Sequence, residues 1–117
     1  MREIITKDGS VTFFNEKFGD IYHSVSGALE EAFKKFAEPC NIKPGMCILD
    51  ICFGLGYNSL AAICKTKMLK IIALENDKTI LNKISTIVVP KKFDKDYSII
   101  REVARKFYYK HKNLEIR

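Results

Sequence analysis

The sequence predicts an α/β fold in which a parallel sheet with flanking helices follows a small β-hairpin. Three observations carry this reading. Residues 46–51 and 68–74 are short, almost unbroken apolar runs, the form taken by strands of a parallel sheet buried on both faces. Between them, residues 58–65 read as a helix, and a strand–helix–strand order implies a right-handed crossover between parallel neighbours. Two glycines, Gly54 and Gly56, stand in the turn from the first strand into that helix.

The elements follow in order. Residues 3–6 and 11–14 favour strands, and Asp8-Gly9 between them is a hairpin signal. Residues 26–37 form an amphipathic helix, with Ser26 as its cap and Ala28, Leu29, Ala32, Phe33, Phe36 and Ala37 on one face. Glu30 and Glu31 early and Lys34 and Lys35 late suit its dipole, and Pro39 blocks its continuation. Lys43-Pro44-Gly45 is a turn into the first strand. After the second strand, Asp77 caps a helix with Ile80, Leu81, Ile84, Ile87 and Val88 inside and Pro90 at its end. Residues 91–96 read as a polar loop. Asp96 then caps a last helix with Ile99, Ile100, Val103, Ala104, Phe107 and Tyr108 on its apolar face. Residues 114–116 begin a third strand. The expected partition is a hairpin extension over 1–25 and a nucleotide-binding domain over 26–117.

Composition narrows the class. A chain of 117 residues, 47% hydrophobic and 29% charged, has the balance of one globular domain rather than of a disordered segment. It holds no apolar run of membrane-spanning length and begins with no apolar leader, so the expectation is a cytoplasmic protein with no membrane partner. Cys40, Cys47, Cys52 and Cys64 include no Cys-x-x-Cys pair, and only His23 and His111 could join them, so no metal site is expected and the thiols read as buried and free. Charge is uneven. Residues 1–64 carry six basic and eight acidic groups, residues 65–117 fourteen and six. A phosphate-rich partner would favour the basic half, and a solvated lysine surface explains it equally well.

The chemistry concentrates in Ile48-Leu49-Asp50-Ile51-Cys52-Phe53-Gly54-Leu55-Gly56-Tyr57-Asn58. Glycines between a strand and a helix let backbone approach a ligand, and the helix start offers N–H donors. Glu75, at the end of the second strand, sits where a carboxylate accepts both ribose hydroxyls of a nucleoside. The loop lacks the Gly-x-Gly-x-x-Gly spacing of dinucleotide binders and the Gly-Lys-Ser/Thr of phosphate-loop enzymes.

Asp50-x-Cys52-x-Gly54-x-Gly56 resembles the acid-plus-glycine motif of class I methyltransferases, whose cofactor is S-adenosyl-L-methionine. More narrowly, Thr6-Lys7-Asp8-Gly9-Ser10, Tyr22-His23-Ser24 with Gly27-Ala28 and Glu30-Glu31, and Phe53-Gly54-Leu55-Gly56-Tyr57-Asn58 resemble the MnmC-like family, which methylates the aminomethyl group of tRNA wobble uridine. The resemblance spans about residues 6–77. It implies the front half of a Rossmann-like methyltransferase fold, with Gly54 and Gly56 beside the methionine part of the cofactor and Glu75 on its ribose. It further implies that Tyr22, Ser24, Glu30, Asp50, Cys52, Asn58 and Asn76 border the cofactor, with His23 lining the same pocket or merely packed. Cys52 departs from the motif's first glycine, and its Cβ would crowd the cofactor or demand an unfavourable backbone angle. The family's later strands, and its acidic substrate-side segment, have no counterpart among these residues. The expectation is therefore a fragment or split enzyme completed by another polypeptide or by a homodimer, with tRNA met through the basic residues of 65–117. Two other readings stay open: an aminopropyltransferase of the spermidine synthase type, and a non-catalytic remnant that associates through its sheet.

Overall fold

The computed structural model describes residues 1–22 and 27–117. Strands β1 (Arg2–Ile5), β2 (Val11–Asn15) and β3 (Asp20–Ile21) form an antiparallel sheet in that order. The second sheet contains β4 (Met46–Ile51), β5 (Leu69–Leu74), β6 (Tyr109–His111) and β7 (Leu114–Ile116), ordered β4-β5-β7-β6. β4 and β5 run parallel, as do β5 and β7; β6 is antiparallel to β7. The architecture is thus α/β with a mostly parallel mixed sheet. Strand β6 and the short β3 were not anticipated from the sequence.

A polar turn ties the hairpin to the first helix, α1 (Ala28–Glu31), which continues as a π-helical turn over Ala32–Ala37. The first amides of a helix need acceptors from elsewhere. Ser10 Oγ accepts from the N–H groups of Ala28 (3.1 Å) and Leu29 (3.3 Å), and Asp8 Oδ2 from that of Glu30 (2.9 Å). Burial works to raise the Asp8 carboxyl, but hydrogen bonds from Ser10, Glu30 and Thr6 outweigh it and hold it at about 2. The cap therefore comes from the hairpin turn, 18 to 22 residues upstream. Ser26, expected to cap this helix, lies outside the described residues. A Cβ on Gly27 would meet Asp8 Oδ2 at 2.5 Å, so the glycine makes room for the carboxylate. The π turn, closed by Glu38 N–H donating to Phe33 O (2.9 Å), keeps Ala37 buried as expected but leaves Phe36 43% exposed, correcting the expected face at that residue.

α2 (Tyr57–Lys65) follows β4 and buries Tyr57, Leu60, Ala61 and Ile63. α3 (Lys78–Lys83) is capped by Asp77, whose carboxylate accepts from Thr79 N–H (2.9 Å). It stops sooner than the sequence predicts. Ile84–Thr86 tighten into a 3-10 turn and Ile87 is extended, because β-branched residues run up to Pro90 and the residue before proline avoids the helical region. Val88, expected inside, is exposed. Residues 91–96 are not a loop: Lys91–Phe93 make a 3-10 turn and α4 (Asp94–Lys106) begins at once. Asp96 lies within α4 and pairs with Lys67 at 3.2 Å instead of capping it. Phe107 ends α4 in the left-handed region (φ 59°), so it and Tyr108 are exposed rather than on the apolar face.

The core lies between the helices and one face of the larger sheet. Leu69, Ile71, Leu114 and Ile116 are buried beneath Leu60, Ile63, Ile100 and Val103. Strands β4 and β5 are covered on one face only, against the expectation of two. Leu49, Ile51, Ile72 and Leu74 all lie on the other, open face. The four cysteines are free, but Cys40, Cys47 and Cys52 are exposed rather than buried. Cys64 is half-buried, and burial together with its Asp96 partner pushes its thiol up to about 12. Among the described residues no helix is long and apolar enough to cross a membrane.

Candidate functional site

The carboxyl ends of β4 and β5 meet at the glycine turn. Phe53 N–H donates to Leu74 O (2.9 Å), prolonging the β4–β5 ladder by one step. From there side chains alternate. Phe53 and Leu55 turn into the core, Cys52 turns out, and Leu55 O accepts from the buried Tyr97 hydroxyl (2.9 Å). Three residues of the turn take left-handed angles: Cys52 (φ 63°), Gly54 (φ 59°) and Gly56 (φ 77°). Cys52 thus accepts the backbone angle that a glycine would adopt at no cost, a strain of about 1–2 kcal/mol.

The two glycines serve different ends. A Cβ on Gly56 would meet Ile100 Cγ2 at 2.4 Å and the Phe53 ring at 2.9 Å, so this glycine lets α4 pack against the turn. A Cβ on Gly54 would make only an ordinary contact, with Cys52 O at 3.7 Å, so this backbone is not hemmed in as that of Gly56 is. Gly54 N–H points at Glu75 and donates to its Oε2 at 2.8 Å. Glu75 Oε1 accepts from the N–H groups of Asn76 and Asp77, both 2.9 Å. Of the roughly four acceptor positions of a carboxylate, three are therefore in use.

Tyr22 joins this rim from the hairpin sheet. Its hydroxyl donates to Asp77 Oδ2 (3.0 Å) and accepts from Asn15 Nδ2 (3.3 Å). Burial, then the charges of Asp77 and Glu75, raise the Tyr22 phenol against the opposing Asn15 bond. Burial works to raise the Asp77 carboxyl, but the Tyr22, Thr79 and Ile80 donors prevail and lower it. Asp77, read from the sequence only as a helix cap, is also the anchor that fastens the hairpin to the rim. Its place two residues after Glu75, at a strand's carboxyl end, was the available signal.

The structure brings Tyr22, Gly54, Glu75 and Asn76 together. Asp50 and Asn58 stand apart from them, lining a cavity of about 230 Å3 at the free edge of β4 with Phe36, Cys40 and Ile51. Asp50 is buried, and Ser59 Oγ–H donates to it at 2.6 Å. Burial raises its carboxyl while Ser59 opposes. It locks α2 onto β4. Glu30 faces Lys34 (3.6 Å) and makes no bond to the rim. Ser24 and His23 lie outside the described residues. A second cavity, about 140 Å3, opens beside Glu75 and is lined by Phe53, Ala73, Val103 and Phe107; Cys52 lines neither.

The fold places the chain among Rossmann-like α/β architectures. The solved structure of MnmC2 from Aquifex aeolicus superposes on 99% of this chain with a TM-score of 0.75 at 25% identity, while the chain covers 41% of that protein. An uncharacterised protein of Methanocaldococcus jannaschii is 33% identical over 105 residues, which are 88% of this chain and 29% of that protein. The chain thus spans less than half the length of either. No protein-family model matches it.

Proposed function

We propose that this chain forms the S-adenosyl-L-methionine-binding part of a class I methyltransferase that modifies the aminomethyl group of tRNA wobble uridine. The observation that carries the reading is the meeting of Gly54 N–H and the Glu75 carboxylate at 2.8 Å across the ends of two parallel strands. Open strand ends of this kind are where α/β sheets receive nucleosides. The uncrowded backbone of Gly54 suits the methionine part, and Glu75 suits the ribose, with Asn76 and Tyr22 beside it. The residue types fit the cofactor. One acceptor position of Glu75 is free for a first ribose hydroxyl, and a second would take the place of the Gly54 N–H. The cofactor would supply an electrophilic methyl group. Transfer to a neutral amine needs alignment more than acid–base help, so these residues would bind and orient the cofactor.

Calorimetric titration tests this. S-adenosylmethionine should bind, and Glu75→Gln should weaken it by about 1.5–3 kcal/mol, the worth of hydrogen bonds to a charged group. Tighter binding of the decarboxylated cofactor would favour an aminopropyltransferase. The open sheet face favours the associating, non-catalytic reading, and binding of neither compound would select it.

A further inference from the structure

At the opposite end of the sheet from Glu75, two adjoining grooves flank the β6–β7 hairpin. One, of about 560 Å3, is lined by Lys67, Lys95, Tyr109, His111 and Lys112. The other, of about 460 Å3, is lined by Lys70, Lys110, Lys112 and Glu115. They share Met68, Lys112 and Asn113. Five lysines thus surround two carboxylates. Asp96 pairs with Lys67 (3.2 Å) and Glu115 with Lys70 (3.8 Å) and Arg117 (3.3 Å). Among the described residues Lys95, Lys110 and Lys112 make no ion pair and are exposed, so their charge is unspent. The turn holds this arrangement in place: Lys112 adopts φ 53°, and β6 and β7 pair Lys110 with Glu115 and His111 with Leu114.

We infer that these grooves bind the phosphate backbone of RNA. The inference deepens the function proposed above and rests on it for the choice of RNA among polyanions. Three features support it. Free lysines around a ridge neutralise a chain of phosphates without reading sequence. Tyr109 and His111 line the same groove, and Tyr108 is exposed beside it, the interleaving of charge and aromatic side chains that single-stranded or looped RNA uses for stacking. The surface lies roughly 20 Å from the Glu75 rim, the length of a six-residue strand. A small anion cannot touch both, whereas a folded RNA can. A lipid surface fits less well, because it favours a broad apolar rim, and of the large apolar side chains lining these grooves only Met68 is exposed.

The test is fluorescence anisotropy with a fluorescein-labelled RNA stem-loop and no cofactor, across a salt series. Lys95→Gln, Lys110→Gln and Lys112→Gln together should raise Kd about tenfold or more and flatten the slope of log K against log salt by roughly 2–3. Removing the same charge at Lys7, Lys17 and Lys35 should leave both nearly unchanged. Equal losses from the two triple variants would overturn the inference, since net charge alone would then be at work. So would phosphatidylserine vesicles binding as tightly as RNA and losing that binding with the first variant, or no RNA binding by the unaltered chain at low salt. Each of these leaves the calorimetric titration with S-adenosylmethionine untouched, so the two readings fail separately.

Discussion

The two faces of the larger sheet differ in cover although aliphatic residues stand on both. On one face Ile71 and Ile116 are fully buried under helices. On the other, Ile72 is 38% and Leu74 52% exposed, and Lys70, Glu115 and Lys110 carry the same face to the sheet's edge. Period-two alternation separates the faces of a half-covered sheet, but here aliphatic residues occupy both, as in sheets covered on both sides. The contrast shows that composition along a strand records the surroundings the strand is made for, while exposure records what these residues by themselves supply.

The sharpest way to break the contrast is to truncate neighbours. Ile71→Ala should cost about 2–5 kcal/mol in urea unfolding, because its cavity lies in a packed core, whereas Ile72→Ala should cost under about 1 kcal/mol. Equal losses would mean that both faces are covered in solution. Gly56→Ala should follow closely. It drives a methyl group into Ile100 and Phe53, about 1–3 kcal/mol of overpacking, and adds left-handed strain, whereas Gly54→Ala should add strain alone and spoil cofactor binding in the calorimeter. A smaller effect is expected at the hairpin turn. The Asp8 carboxyl is lowered on folding from 3.8 to about 2, so its contribution is complete above pH 4 and fades as pH falls towards 2. Asp8→Asn should remove that acid-side slope from thermal melts, a loss held to about 1 kcal/mol or less because the group is largely solvated. Smallest of all, Leu49→Lys with Leu74→Lys should leave stability within about 0.5 kcal/mol in the same urea unfolding.

Much of the fold was legible because its signals are local. Asp8-Gly9 gave the hairpin, Asp77 gave the α3 start, and the apolar runs gave β4 and β5. What escaped either carried no local signal or was decided by contacts distant in sequence. Tyr109–His111 pairs with Leu114–Ile116 across a turn at Lys112-Asn113, and that turn holds no glycine to announce a hairpin. No periodicity announces the π turn that takes Phe36 off the buried face. At the candidate site, Gly54 and Glu75 were readable from their register at two strand ends. The different duty of Gly56 was not, because the atom that claims its empty space, Ile100 Cγ2, lies on a helix some forty residues later.

The capping of α1 has a consequence for dissecting the molecule. Its opening amides borrow Ser10 and Asp8, so the helix and the hairpin turn are one cooperative unit even though sixteen residues separate Ser10 from Gly27. A chain begun at residue 26 would leave those N–H groups to water or to a frayed first turn. Because the hairpin leaves the ribosome first, the acceptors stand ready before the helix that needs them has been made.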